Sequence, residues 1–346
     1  MELPEDVVAR ILSKLHPFEA VKAKLVCRTW RRLISTLRVP PLTLGIAVEW
    51  HLSSRALLYA DLSWSRWVRL PLLDEPASVL AIASPFLCLS TTSSSRPRVT
   101  QLHLLNPLSR EQVSLPPYLS GDSHFLVGLC TAPSISGFKV VAAGTKALAN
   151  RICLKESFNL SDADLDLPVQ IFDSVGNSWR MAGTVRGVAA DYDCPVCVGT
   201  QIFWLSKRRL RRHVLAFNAM DETWSILGQS WPEDLCPFAL WAWDGHLCMA
   251  GGLFNALTVW ELATNKSDWL RRIHVTSGVV HPGTFRGVGM MHVAGHGHLL
   301  CIMSPWSRKG FVFDLHSHSI SWLPLCPVGF YIWGNVHPYI PGFSHL

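Results

Sequence analysis

Two groups of residues in the chain have types and spacing that metal sites use. Cys194 and Cys197 are separated by two residues, as in the cysteine pairs that ligate zinc. No second cysteine or histidine pair follows at the usual distance, so a turn at the edge of a strand is the favoured interpretation. His292, His296 and His298 cluster around two glycines, where a turn between two strands explains the pattern better than ligation. We therefore predict no metal site and no cofactor.

Two charged segments are candidates for binding another molecule. Residues 145–167 form an acidic segment, with Glu156, Asp162, Asp164 and Asp166, and residues 206–213 form a basic one, with Lys207, Arg208, Arg209, Arg211 and Arg212. The acidic spacing begins like a calcium-binding loop, but Leu167 stands where that loop needs glycine. The segments are interpreted either as a docking surface for a client protein or as solvated hairpin tips whose charges pair with each other. A nuclear import signal is a further interpretation of the basic run.

Composition and charge limit the classes of partner. The chain has 346 residues, 49% apolar and 16% charged, which is a globular composition with room for a large and a small domain. Residues 1–38 hold eight Lys/Arg against four Asp/Glu, and residues 39–346 hold 23 against 21. The large part therefore has no basic field, and nucleic acid is not an expected partner. No apolar stretch reaches about 18 residues, so no membrane partner is expected either.

The N-terminus is acidic and does not look like a secretory signal. The ten cysteines are therefore expected to be reduced thiols, and the protein is expected in the cytoplasm, the nucleus or both.

The first 36 residues predict three short helices. Pro4 suits a first helical turn, and the apolar residues that follow it to Leu15 recur at helical spacing. A His-Pro pair ends this helix, and two further apolar patterns follow. A piece of fewer than about 40 residues buries too little surface to fold alone. Its apolar faces must therefore pack on the rest of the chain or on a partner.

The segment LPEDVVARILSKLHPFEAVKAKLVCRTWRRLI resembles an F-box along its whole length. The opening Leu-Pro, the Ile-Leu-x-x-Leu, the Val-Cys-Arg-x-Trp-Arg and the closing Leu-Ile carry the resemblance. Members of that family pack on the Skp1 adaptor of a cullin–RING ubiquitin ligase. The resemblance places eight residues in or near that contact, some of which belong to the module's own core: Leu3, Pro4, Ile11, Leu12, Leu15, Val26, Cys27 and Trp30.

The rest of the chain repeats one hairpin pattern six times. Each unit has an apolar pair, then Asp, Asn or Glu, a polar turn, and Trp or another apolar residue, as in Phe172-Asp173 followed by Trp179. The units begin 43 to 67 residues apart, and a period of this length with about four strands predicts a β-propeller. The recurring tryptophans are interpreted as packing residues, and they are Trp67, Trp179, Trp224, Trp269 and Trp322.

The predicted fold is therefore mainly β, with a three-helix F-box at 1–38, a short proline joint at 39–41 and a six-bladed propeller at 42–346. The strand-like tail at 329–336 is expected to be the innermost strand of the first blade, which closes the ring. Gly251-Gly252 resembles the double glycine of a kelch repeat, and the whole layout resembles the plant F-box/kelch-repeat family.

The resemblance implies a non-catalytic adaptor: the substrate receptor of an SCF ubiquitin ligase, bound to Skp1 and through it to cullin and RING subunits. A protein-interaction scaffold outside a ligase is one alternative. The other is an enzyme like galactose oxidase, which needs a copper site of Tyr and His with a cross-linked Cys. None of the five tyrosines stands in an evident arrangement of that kind.

Overall fold

The structure is a computed structural model. It describes residues 3–15, 17–36, 45–49, 57–61, 66–70, 77–83, 85–92, 100–119, 126–144, 165–187, 195–205, 213–227, 237–251, 256–263, 268–276, 292–303, 309–326 and 336–339. The predicted proline joint at 39–41 lies outside these residues.

The N-terminal helices are α1 (Glu5–Leu12), α2 (Pro17–Ala23) and α3 (Arg28–Thr36). Pro4 precedes the first turn of α1, where a missing N–H costs nothing, and Glu5 and Asp6 lie at the positive end of the helix dipole. Helix α3 contacts both α1 and α2. None of the helices in the described part of the chain has the length and apolar character that crossing a bilayer requires.

The prediction of a mainly β fold is confirmed, because the described strands form four-stranded antiparallel sheets. The first sheet contains β1 (Gly45–Glu49), β2 (Leu57–Asp61) and β3 (Arg66–Leu70), with β24 (Val336–Tyr339) beyond β1. The second contains β4 (Ala77–Ala83), β5 (Phe86–Thr92), β6 (Thr100–Asn106) and β7 (Glu111–Ser114). The third contains β8 (Leu126–Cys130), β9 (Lys139–Ala143), β10 (Leu165–Asp173) and β11 (Ser178–Gly187).

Three further sheets follow in chain order. The fourth contains β12 (Val196–Val198), β13 (Gln201–Leu205), β14 (Val214–Asn218) and β15 (Thr223–Leu227). The fifth contains β16 (Pro237–Trp243), β17 (His246–Gly251), β18 (Ala256–Leu262) and β19 (Trp269–Thr276). The sixth contains β20 (His292–His296), β21 (Leu299–Met303), β22 (Gly310–Asp314) and β23 (Ile320–Trp322).

The sheets are arranged as a propeller around their innermost strands. Contacts run from β24 to β4, β8, β12, β16 and β20 and back to β24, and β24 pairs with β1, so the first and last described strands meet in the first sheet. The tail does provide the innermost strand, and its described part is Val336–Tyr339. Residues 329–335 of the predicted strand lie outside the described part.

Two tryptophans pack between neighbouring sheets where the facing strand has glycine. A Cβ added at Gly128 would lie 2.6 Å from the Trp204 ring, and one added at Gly295 would lie 2.3 Å from the Trp241 ring. The Trp204 indole N–H donates to Val127 O across the same junction, at 3.3 Å. Large rings against bare backbone thus fill the junctions of the third with the fourth sheet and of the fifth with the sixth.

The turn between the third and fourth strands repeats one backbone geometry. The side-chain Oδ1 of Asn106, Asp173, Asn218 and Asp314 accepts a backbone N–H two residues on, at 2.8–3.0 Å. Four residues after each of them stands a non-glycine residue with positive φ: Arg110, Asn177, Glu222 and His318. At these four positions the Asp or Asn that precedes the polar turn in each unit therefore starts the turn.

The interpretation of the recurring tryptophans is only partly right. Trp179 and Trp269 are buried, and Trp67 and Trp224 are half-buried. Trp322 differs, because it lies on the outermost strand β23 with 60% of its surface exposed and meets the Phe311 ring only along an edge.

Candidate protein-docking surface

The three helices share a small core with a turn of the second sheet. Leu12, Ala20, Ala23 and Ile34 are buried together, and Leu108 completes the cluster with 2% of its surface exposed. Leu108 belongs to the turn between β6 and β7, so the helical module buries part of its apolar surface on the rest of the chain. Packing on the chain itself, one of the two possibilities raised by the sequence, is therefore observed.

The turn holds Leu108 in place through its own hydrogen bonds. Asn106 Oδ1 accepts the backbone N–H of Leu108 at 3.0 Å and that of Ser109 at 3.3 Å. A second link is electrostatic: burial lowers the pKa of Lys24, and the negative charge of Glu111 opposes that shift. Lys24 directly follows α2, and Glu111 is the first residue of β7. The attraction between these two residues therefore links the helical module to the same turn.

A second part of the module's apolar surface faces solvent. Leu3 is 62% exposed, Val7 38% and Ile11 49%, and these residues follow one another at intervals of four along α1. In the turn between α2 and α3, Leu25 is 79% exposed and Val26 63%. Isolated exposed apolar residues are ordinary, but five on 36 residues mark an interaction surface. We call these five residues the exposed apolar face.

The structure divides the eight residues expected to contact Skp1. Leu3, Pro4, Ile11, Val26 and Cys27 are exposed. Leu12 is one of those that belong to the module's own core, because it is 1% exposed and lies there with Ile34. Leu15 and Trp30 are half-buried and pack on that core. Val26 is 63% exposed, which places it on the surface.

The sequence interpretation missed Val7 and Leu25. The sequence held a signal for Val7, because it precedes Ile11 by four residues and side chains at that spacing lie on the same face of a helix. Leu25 gives no such signal, because it follows the end of α2 at Ala23 and periodicity no longer fixes its direction. Charged pairs flank the face: Arg32 donates to Glu5, and Lys22 lies 3.0 Å from Glu19.

The charged segments lie between the second and third strands of adjacent sheets. The acidic segment joins β9 to β10, and the basic segment joins β13 to β14. Asp162, Asp164, Lys207, Arg208, Arg209, Arg211 and Arg212 lie outside the described residues, as does Glu156. The predicted end of the acidic segment at residue 167 is wrong, because β10 begins at Leu165. Asp166 therefore lies in this strand, opposite Arg186 of β11. The strand extends because Leu167 and Val169 are buried in the core.

Strand order separates Leu108 from the strand ends that flank these segments. In an up-and-down sheet the first–second and third–fourth connections share one end, and the second–third connection begins and ends at the other. Leu108 is in a third–fourth connection, whereas the charged segments follow the second strand and precede the third. Around a propeller such ends form two faces, so the flanking strand ends lie on the face opposite Leu108, and they are Ala143, Leu165, Leu205 and Val214.

The candidate metal ligands lie partly within the described residues. Cys194 lies outside the described residues, and Cys197 lies in β12, where its Sγ is 3.5 Å from Sγ of Cys130. His292 and His296 lie in β20 and His298 in the turn after it. Among the described residues, no group of three His, Cys, Asp or Glu side chains has a geometry that could hold a metal ion.

Residues 1–41 match the family model of the F-box domain. The chain carries an F-box. The solved structure titled "Structure of YjhT" covers 77% of this chain and 90% of its own, with 13% identity and a TM-score of 0.46. A comparison with curated proteins gives no match.

Proposed function

We propose that the protein is the substrate-recognition subunit of an SCF ubiquitin ligase, in which the F-box binds a Skp1-like adaptor and the propeller binds a client protein. The observation that carries the proposal is the exposed apolar face of an F-box whose other side is buried. Because Leu12 and Ile34 are used up in the core with Leu108, Ile11 and Val26 are left for another protein.

The contact between the F-box and the second sheet supports an adaptor of fixed geometry. An adaptor speeds transfer of ubiquitin by raising the effective concentration of the client beside the enzyme that carries ubiquitin. A loose connection would spread the client over many positions. Burial of Leu108 in the F-box core limits that spread.

We further propose that the client binds the face that carries the charged segments. The positions are Lys207, Arg208, Arg209, Arg211 and Arg212 with Asp162 and Asp164; Asp166 is left out because it lies in a strand. The strand ends that flank these positions lie on the propeller face opposite Leu108, which supports binding of adaptor and client at the same time. The same proposal includes three further points. The propeller is of the kelch type, the protein is a non-catalytic adaptor, and it acts in the cytoplasm or the nucleus.

The test is capture of purified Skp1 by the full chain, in the parent and in variants of the exposed apolar face. Ile11→Asp and Val26→Asp each put a charge where an apolar contact is expected, and we expect each to reduce capture at least tenfold. Val175→Asp is the matched control, because Val175 is 70% exposed in a propeller turn.

Both aspartate variants should melt with the parent, since the replaced side chains are exposed. Failure of the parent to capture Skp1 overturns the ligase proposal. Capture of Skp1 without cullin and RING subunits in the complex favours the interaction scaffold instead.

A further inference from the structure

Cys130 and Cys197 form a thiol pair between the third and fourth sheets. Cys130 is the last residue of β8 and Cys197 the middle residue of β12, and these innermost strands are in contact. Their Sγ atoms are 3.5 Å apart. Both thiols also approach Gly199 O, Cys197 at 3.4 Å and Cys130 at 3.7 Å.

The two thiols differ in exposure. Cys130 is fully buried, whereas Cys197 is half-buried, so part of the Cys197 residue is accessible to solvent. A Cβ added at Gly199, the residue whose carbonyl both thiols approach, would meet nothing within 4 Å. We expect a small peroxide to reach the pair from the Cys197 side.

The surroundings also prepare one sulfur for attack. The hydrogen bond from Cys197 lowers the pKa of Cys130 to about 7, and the positive charge of Lys139 acts in the same direction. The same hydrogen bond raises the pKa of Cys197. The lowered pKa favours the thiolate of Cys130, the reactive form, and a thiol partner lies beside it.

We propose that Cys130 and Cys197 are a reversible dithiol–disulfide site whose oxidant is a peroxide. The geometry carries the proposal: a disulfide needs sulfurs about 2.05 Å apart, so side-chain rotation must close roughly 1.5 Å. This site is independent of the F-box and of the ligase proposal.

The reaction balances in two steps. The Cys130 thiolate attacks one oxygen of hydrogen peroxide, the O–O bond breaks, and with one proton one water leaves, giving a sulfenic acid. The Cys197 thiol then attacks that sulfur, the S–S bond forms, and the hydroxyl leaves with the thiol proton as a second water. The two cysteines lose two electrons, which the peroxide gains, and a dithiol reductant restores the thiols.

The disulfide would link the third sheet to the fourth. It would also close a loop of the chain, since the two cysteines are 67 residues apart. A cross-link that closes a loop of this length lowers the conformational entropy of the unfolded chain. The oxidised protein should therefore melt several degrees higher than the reduced one. Oxidation would also hold β8 of the third sheet against β12 of the fourth, and these are the two sheets whose second and third strands flank the charged segments.

The experiment treats the full chain with hydrogen peroxide, blocks free thiols, and maps peptides without reduction. We expect a peptide pair linked through Cys130 and Cys197, which dithiothreitol separates, and a rise in melting temperature that dithiothreitol reverses. Cys130→Ser and Cys197→Ser should each abolish both. Cys27→Ser, at an exposed cysteine on the F-box, should keep both.

Two outcomes overturn the proposal. One is full alkylation of Cys130 and Cys197 in the peroxide-treated parent. The other is a link between Cys194 and Cys197, and Cys194→Ser distinguishes the two pairs because it should leave the proposed link intact. Peptide mapping of the parent decides the case even where a serine variant fails to fold. Skp1 capture should be the same for reduced and oxidised protein.

Discussion

The Trp67 indole N–H donates to Pro324 O at 2.8 Å, which joins the first sheet to the segment after the sixth. The same relationship recurs between Trp179 and Pro116 O, also at 2.8 Å, between the third sheet and the second. In each case a tryptophan on the outermost strand binds the carbonyl of a proline that follows the outermost strand of the preceding sheet. The junction that closes the ring is thus built like one inside it.

Removal of the closing strand should destabilise the propeller as a whole. A chain ending at residue 335 loses β24, which leaves β1 without its inner partner and removes the contacts of β24 with β20 and β4. We expect the melting temperature to fall by roughly 10 °C, because several kcal/mol of pairing and packing are lost. A chain ending at residue 340 keeps β24 and is the control. Melting of the shorter chain within a degree or two of the full one would contradict ring closure by the tail.

Trp67→Phe tests the junction without shortening the chain. The variant keeps a ring against the sixth sheet, where Trp67 packs on the cluster that contains Leu323, but it leaves Pro324 O without its donor. A loss of about 1–2 kcal/mol is expected in the free energy of unfolding, measured with urea. Trp322→Phe is the matched control, since that side chain is 60% exposed and its replacement should cost less than 0.5 kcal/mol, a typical surface value.

Leu108→Ala should loosen the F-box from the propeller. The substitution leaves a cavity beside Leu12 and Ile34, and large-to-small changes at buried leucines cost about 2–5 kcal/mol. Hydrogen exchange should therefore speed up in residues 5–36 while the innermost strands stay protected. Leu119→Ala is the control, because Leu119 follows the last strand of the same sheet and is 57% exposed. It should change neither the stability nor the hydrogen exchange of the F-box. Equal exchange in the F-box of parent and Leu108→Ala would show that the contact is not held in solution.

Much of the fold could be predicted from local chemistry, as the turns show. Asn106, Asp173, Asn218 and Asp314 start their turns because a short polar side chain binds the backbone two residues on, and that preference is readable in sequence. Glu261 occupies the same place in the repeat, although glutamate is not among the residues that typically start such a turn. It lies inside β18 instead, because its longer side chain reaches across to a residue of β19.

The docking surface could be predicted less well, for a physical reason. A helical pattern shows which residues are apolar, but the burial of Leu12 and the exposure of Ile11 depend on Leu108, nearly a hundred residues away in the chain. The same holds for the pairing of Cys197 with Cys130, which are 67 residues apart in the chain. Contacts between distant segments decide both outcomes, and they leave no local signal.

Arg272 and Glu261 form a forked ion pair at a bulge in the fifth sheet. The guanidinium donates from Nε to Oε2 at 2.6 Å and from Nη2 to Oε1 at 2.9 Å. Register between β18 and β19 shifts at this point, so that Trp260 faces Arg271 and Arg272 is the additional residue. The Arg272 hydrogen bonds hold the pKa of Glu261 below its ordinary value of 4.5, against the effect of burial, and His246 Nδ1 lies 3.3 Å from the same carboxylate.

Arg272→Gln should therefore lower stability in a way that depends on pH. A carboxyl group whose pKa is lower in the folded than in the unfolded state stabilises the fold above its unfolded pKa, and that contribution disappears as pH falls through the folded value. At pH 7 the variant should melt below the parent, because Glu261 is buried and loses its partner. The difference should shrink as the pH is lowered below about 4.5. Arg271→Gln, at the exposed neighbouring position, should follow the parent at every pH. A difference between Arg272→Gln and the parent that stays constant from pH 7 to pH 3 would show that the arginine acts through packing alone.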